Sequence, residues 1–168
     1  MVALHLVRGI GPALIQAPAR RSNGPILRQR RGVAMGRPMS DQLSSVHTRA
    51  AQPTFVLVRP QMGENIGAAA RAMWNFGLDR MRVVDPRDGW PNERAVALAS
   101  GAGRLLDDAR LFDDVPSALA DCTYVFATTA RDRGLTKPIV TPERAMEQAR
   151  EIIAQGGKVG VMFGPERA

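Results

Sequence analysis

A chain of 168 residues with 45% apolar residues has the length and composition of one globular domain with a real core. No stretch approaches the roughly 20 consecutive apolar residues that a membrane helix needs, and the single cysteine, Cys122, rules out an internal disulfide and makes a reducing, cytoplasmic setting the default. The net charge of +7 is carried entirely by residues 1–50, which hold eight arginines against Asp41, while residues 51–168 hold 15 basic and 15 acidic residues. A neutral domain behind a basic tail gives no argument from charge alone for nucleic-acid binding by the domain.

Residues 1–50 are rich in Arg, Pro, Gly and Ser and lack sustained periodicity, so they are read as a disordered basic tail or a misassigned start. Three readings fit: an arm that touches RNA phosphates, a segment resembling an organelle transit peptide, or a region upstream of a true start at Met35 or Met39. His5, Arg8 and the Gly-Ile-Gly-Pro run at 9–12 break any secretory apolar core.

The ordered domain is expected over 53–168. Thr54–Arg59 reads as a buried strand ended by Pro60. Asn65 is placed as the N-cap of a helix over Ile66–Phe76, with Ile66, Ala70 and Met73 on one face, Arg71 well off it, and Gly77 as the C-cap. Arg80–Val84 is the second strand. Pro91–Ala102 reads as one Ala-rich helix, Ala109–Phe112 as a short strand, Pro116–Ala120 as a short helix and Thr123–Thr128 as another buried strand. Arg131–Lys137 reads as a loop. Thr141-Pro142 opens a helix to about Gln155, and Lys158–Phe163 is the last strand. Alternating strands and helices predict an α/β fold with a parallel sheet and flanking helices.

The residue inventory excludes several chemistries. Both histidines, His5 and His47, lie in the tail, so the domain has no Ser-His-Asp or Cys-His apparatus and no Cys/His zinc site; no metal is expected. There is no G-x-x-x-x-G-K-[ST] loop for phosphoryl chemistry. Cys122 reads as a small core residue. Methyl transfer from a sulfonium donor needs neither histidine nor metal, since the donor is already activated and the protein must align a nucleophile and assist loss of its proton.

The densest segment runs from Pro60 to Leu78: a strand end, a turn with Gly63 and Gly67, and a small-residue helix. It fits a tight crossover in which Gly67 permits close helix–sheet packing. It fits less well a dinucleotide site, because Asp85 ends the next strand about 20 residues on but the glycines do not form G-x-G-x-x-G.

The string Asn65-Ile-Gly-Ala-Ala-Ala-Arg71-Ala-Met, followed by Asn75-Phe-Gly-Leu78, resembles the first signature of the SpoU-type RNA ribose 2′-O-methyltransferases of the SPOUT superfamily. Thr128-Thr129-Ala-Arg131 is similar to the T-[ST]-A-R loop of the TrmJ group, and Val159 to Arg167 (V-G-V-M-F-G-P-E-R) resembles the second SpoU signature. The resemblance implies a SPOUT-type knotted α/β fold, homodimerisation, S-adenosyl-L-methionine as donor and a ribose 2′-hydroxyl of tRNA or another structured RNA as acceptor, with an anticodon-loop cytidine or uridine as the TrmJ-like target. It implies catalytic roles for Arg71, Asn65 and Glu166, donor binding by Thr128, Thr129 and Gly164, and RNA contacts by Arg71, Arg131 and Arg167. Arginine stays protonated, so Arg71 is read as stabilising a developing alkoxide or holding a phosphate rather than as a base.

The family pattern continues with a third signature that forms the knot, and the expectation is a domain whose knot-forming part is missing after Ala168. Two other readings stay open: a non-catalytic paralogue that binds RNA or pairs with an intact subunit, and an NAD-type nucleotide-binding domain.

Overall fold

A computed structural model describes residues 3–8, 51–129 and 138–165, with residues 3–8 and Thr129 described for the backbone. A sheet of seven strands runs in the order β4-β3-β2-β7-β5-β1-β6. Its strands are β1 (Ala3–Arg8), β2 (Thr54–Val58), β3 (Met81–Val84), β4 (Arg110–Phe112), β5 (Tyr124–Thr129), β6 (Ile139–Val140) and β7 (Val159–Phe163). The five strands β2, β3, β4, β5 and β7 are mutually parallel, and β1 pairs antiparallel with both β5 and β6. The helices are α1 (Gly63–Asn75), α2 (Glu93–Ala99), α3 (Gly103–Asp107), α4 (Val115–Leu119) and α5 (Pro142–Ala154). The parallel α/β sheet with flanking helices expected from the sequence is therefore observed.

Side chains alternate across each strand and divide the core by face. Phe55 and Leu57 of β2, with Met81 and Val83 of β3, pack against α1, α2 and α3. Phe126, Val159 and Val161 continue that face beneath α5 through Ala145 and Ala149. Val56, Val84 and Val125 point to the opposite face, where Ala118 and Leu119 of α4 cover them. Cys122 is buried there too, and desolvation pushes its thiol above the ordinary value, as suits an inert core residue.

Local chemistry moves several boundaries. Helix α1 begins at Gly63, with Met62 at the N-cap and no side-chain cap, so Asn65 lies inside the first turn and does not cap it. The single helix expected over Pro91–Ala102 is two: Asn92 caps α2 through Arg94 N and Ala95 N, and Ser100 (φ 41°) with Gly101 (φ 90°) turns the chain into α3. Gly67 does not face the sheet. A Cβ there would stand 2.3 Å from the carbonyl oxygen of Ala95, so its missing side chain lets α1 and α2 cross in backbone contact. Thr141 caps α5 as expected, accepting from Arg144 N. Residues 3–8 of the tail form a strand, because the outer edge of β5 offers main-chain partners that periodicity in the tail does not announce; the rest of the tail lies outside the described residues.

One buried charge ties β3 to the C-terminal end of α4. Arg82 of β3 has a side chain only 8% exposed; its guanidinium donates to both carboxylate oxygens of Asp121 at 2.6 and 2.9 Å and to the carbonyl of Ala118, and it lies over the Phe112 ring. The Asp121 carboxyl is held below the ordinary value chiefly by that hydrogen bond. Replacing Asp121 by alanine leaves the cation unpaired. Because Asp121 itself is 44% exposed, the expected loss is about 2 kcal/mol, below the 3–5 kcal/mol of a fully buried pair. Urea unfolding measures it. A carboxyl with a lowered folded pKa contributes stability above its unfolded pKa and loses it as pH falls through the folded value, so the wild-type advantage over Asp121→Ala shrinks below about pH 4.

Candidate functional site

Parallel strands end on one edge of the sheet, and in open α/β sheets ligands bind outside those ends where the strand order reverses. Here the chain moves from β2 outward through β3 and β4, crosses to β5, and returns with β7 between β2 and β5. The reversal therefore lies at β2, β7 and β5. The register sets Leu57 beside Phe163 and Ala127 beside Met162. This brings Gly164, which follows β7, and Thr128, the last residue but one of β5, to the same edge as the start of α1. Three segments distant in sequence thus converge.

At Gly164 nothing lies within 4 Å of the position a Cβ would take, so the main chain there is open to a ligand, and Thr128 beside it is half-buried. Asn65, in the first turn of α1, is exposed. Arg71 is not gathered with them. It lies six residues further along α1, about 9 Å along the axis at 1.5 Å per residue, and is exposed with no ion-pair or hydrogen-bond partner among the described residues. Thr129 is placed by backbone only, at the end of β5. Arg131, Glu166 and Arg167 lie outside the described residues.

The same edge carries residues that the motif reading passed over. Val58-Arg59-Pro60 and Val84-Asp85-Pro86 end two adjacent strands in equal register. Arg59 (φ 48°) and Asp85 (φ 45°) both adopt left-handed backbone and are joined by an ion pair at 3.1 Å. Non-glycine residues in this region are strained and cluster at functional sites. Arg59, with Val84, Val115 and Pro165, borders a cleft of about 370 Å3. The signal in the sequence was the repeated Val-charge-Pro ending of successive strands. Glu64 was also missed: its Oε1 faces Arg94 at 3.6 Å while its Oε2 is buried without a hydrogen bond. A cavity of about 580 Å3 at the opposite edge, bordered by Gln52, Arg80 and Lys158, contains none of the expected site residues.

A parallel sheet whose strand order reverses at β2, β7 and β5, with helices on both faces, places the chain in the class of open α/β domains. The chain belongs to the SpoU rRNA Methylase family, which it matches over residues 52–168. It is 42% identical over 113 residues to the tRNA (cytidine/uridine/adenosine-2′-O-)-methyltransferase TrmJ of Pseudomonas aeruginosa, covering 67% of this chain and 44% of the relative. It is 34% identical over 116 residues to the tRNA (cytidine-2′-O-)-methyltransferase TrmJ of Methanocaldococcus jannaschii, covering 67% and 49%. Among solved structures, TrmJ of Z. mobilis is 60% identical with a TM-score of 0.65, covering 70% of this chain and 51% of that one. The chain thus spans about half the length of the relatives it matches. Among the described residues no helix is long and apolar enough to cross a membrane.

Proposed function

We propose that this chain is the donor-binding and catalytic portion of an S-adenosyl-L-methionine-dependent RNA methyltransferase that acts on a ribose 2′-hydroxyl of tRNA in the cytoplasm. The observation that carries the reading is the convergence of Thr128, Gly164 and the start of α1 at the reversal point, in a chain of a methylase family whose relatives are named as tRNA 2′-O-methyltransferases. The relatives' names range from cytidine alone to cytidine, uridine and adenosine; a pyrimidine of the anticodon loop is the proposed target.

The donor supplies an electrophilic methyl group on a sulfonium. The protein's part is alignment and charge. The main chain at Gly164 and the Thr128 hydroxyl hold the donor, Asn65 orients the ribose or Glu166, and Arg131 and Arg167 hold RNA phosphates. As the 2′-oxygen attacks the methyl carbon and gives up its proton to water, with the donor leaving as the neutral thioether, Arg71 would stabilise the negative charge that develops on the oxygen; a fixed cation there does not need to accept the proton. A homodimer is part of the proposal. Phe76, 82% exposed, lines a groove of about 330 Å3 together with Leu57, Met73 and Phe163. A second copy that covers this apolar face is the proposed partner.

The test is methyl transfer from labelled donor to tRNA, followed by alkaline hydrolysis, which 2′-O-methylated nucleotides resist. Label recovered in alkali-resistant dinucleotides is the expected result. Absence of such label on every tRNA, or label at a base, would overturn the proposal. Binding of NAD in place of the methyl donor would favour the nucleotide-binding reading.

A further inference from the structure

The C-terminal ends of β2, β3 and β4 form a second recess on the edge that carries Gly164. Val58 and Val84 end β2 and β3, Asp113 directly follows β4, and Val115 and Pro116 open α4; all border one cleft, which Pro165 closes on the side of β7. Its volume of about 370 Å3 is near the small end of ligand clefts, about 300–1,000 Å3, and its walls are valine and proline. Pro165 follows Gly164 in the chain, so this cleft and the open main chain at Gly164 share one loop.

The polar groups at the cleft are fixed in place and only partly used. Arg59 and Asp85 both hold left-handed backbone, and each donates its N–H to the last carbonyl of the neighbouring strand, Arg59 N to Val84 O at 2.8 Å and Asp85 N to Phe112 O at 3.0 Å. Asp85 accepts from Arg59 Nε at 3.1 Å. The two terminal nitrogens of that guanidinium have no partner among the described residues. Asp113 has none there either, whereas Asp114 is occupied in capping α4 through Ser117 N. A forked donor and an unengaged carboxylate therefore border the same cleft.

Charge decides what can enter. Asp113 and Asp114 border the cleft and Asp85 sits on Arg59, so carboxylates outnumber the one guanidinium and a phosphate is repelled. Among the described residues no acidic group is arranged to hold a metal ion. A neutral planar ring fits if it offers an N–H to the carboxylate and acceptors to the fork. The pairing edge of cytosine does so, with its exocyclic amine followed by N3 and O2; Asp is a fitting acceptor for that amine. Uracil sets a carbonyl oxygen where cytosine has the amine, and adenine supplies one ring acceptor instead of two. We infer that this cleft holds the base of the nucleotide whose ribose is methylated and selects cytosine, Asp113 accepting from the amine and Arg59 donating to the ring acceptors. The inference rests on the methyltransferase reading above and adds to it the groups that choose the base.

The experiment follows amide chemical shifts of the full chain during titration with the ribotrinucleotides UpCpU and UpUpU, which differ in one base. Saturable shifts at Arg59, Asp85 and Asp113–Val115 are expected with UpCpU, with binding at least about tenfold tighter than that of UpUpU. Asp113 is exposed, so Asp113→Asn leaves the fold intact. Its carboxamide serves either base, with an acceptor for the amine and an N–H for the uracil oxygen, and the preference is expected to fall to within about twofold. Equal affinity for the two trinucleotides, no saturable shift at the cleft, or an Asp113→Asn chain that keeps the full preference would each overturn the inference. S-adenosylhomocysteine titrated into the same sample reads the methyltransferase proposal separately. Shifts at Thr128 and Gly164 with a cleft indifferent to cytosine overturn the base assignment alone; cytosine-selective shifts without any response to S-adenosylhomocysteine uphold the cleft and overturn the donor site.

Discussion

Arg71→Ala is expected to lower ribose methylation by about 100- to 1,000-fold, the range for losing one preorganised group at a developing oxyanion. The substitution is unusually clean. Arg71 is exposed and has no partner among the described residues, so its removal changes stability by no more than about 0.5 kcal/mol. The kinetic split separates the two roles open to it. A group that stabilises only the alkoxide lowers kcat with the KM for tRNA nearly unchanged, whereas one that only grips a phosphate raises KM with kcat preserved. The proposal expects the first pattern. Arg71→Lys keeps the charge but not the planar fork, and an intermediate kcat is expected. Full activity of Arg71→Ala would remove this residue from the mechanism.

Gly67→Ala is expected to destabilise the fold by about 2 kcal/mol, even though alanine is favoured over glycine in a helix by about 1 kcal/mol. The Cβ would meet the Ala95 carbonyl oxygen at 2.3 Å and two further backbone atoms of Ala95 at 3.1 Å. Backbone cannot swing aside as a side chain can, so α1 and α2 must separate and open the core around Ile66, Ala70 and Ala99. Gly77→Ala is a useful contrast. That residue has φ 69° and open space around it, so its cost is backbone strain alone. Thermal and urea unfolding of the two variants measure the difference. A Gly67→Ala chain as stable as the parent would show that α1 and α2 do not cross as closely as described.

The sequence read most reliably where one local signal sufficed. The apolar face Ile66–Ala70–Met73 and the Thr141-Pro142 helix start each follow from the chemistry of a few neighbouring residues, and both stand in the structure. Alternation of strand and helix likewise announced a parallel sheet. The misreadings arose where distant partners decide the outcome. Asn65 has the side chain of an N-cap, but α1 starts three residues earlier than expected, at Gly63, where only a residue without a Cβ fits beside Asn92. An unbroken Ala-rich pattern over Pro91–Ala102 hid the left-handed turn at Ser100 and Gly101. β1 depends on an open edge more than a hundred residues away, which no window of the tail contains. Of the candidate site, the motifs named Thr128 and Gly164 without showing that β7 enters between β2 and β5. That insertion is what brings them together. The paired strain at Arg59 and Asp85 needed the register of β2 on β3 before its two similar strings acquired a meaning.

The central claim is that the reversal point at β2, β7 and β5 binds a methyl donor. Amide chemical-shift mapping during titration with S-adenosylhomocysteine tests it most directly. The account predicts saturable shifts confined to residues around Ala127–Thr129, Phe163–Gly164 and Gly63–Asn65. Shifts gathered instead at the opposite edge, around Arg80 and Lys158, or saturable shifts at the reversal point with NAD and none with S-adenosylhomocysteine, would contradict it.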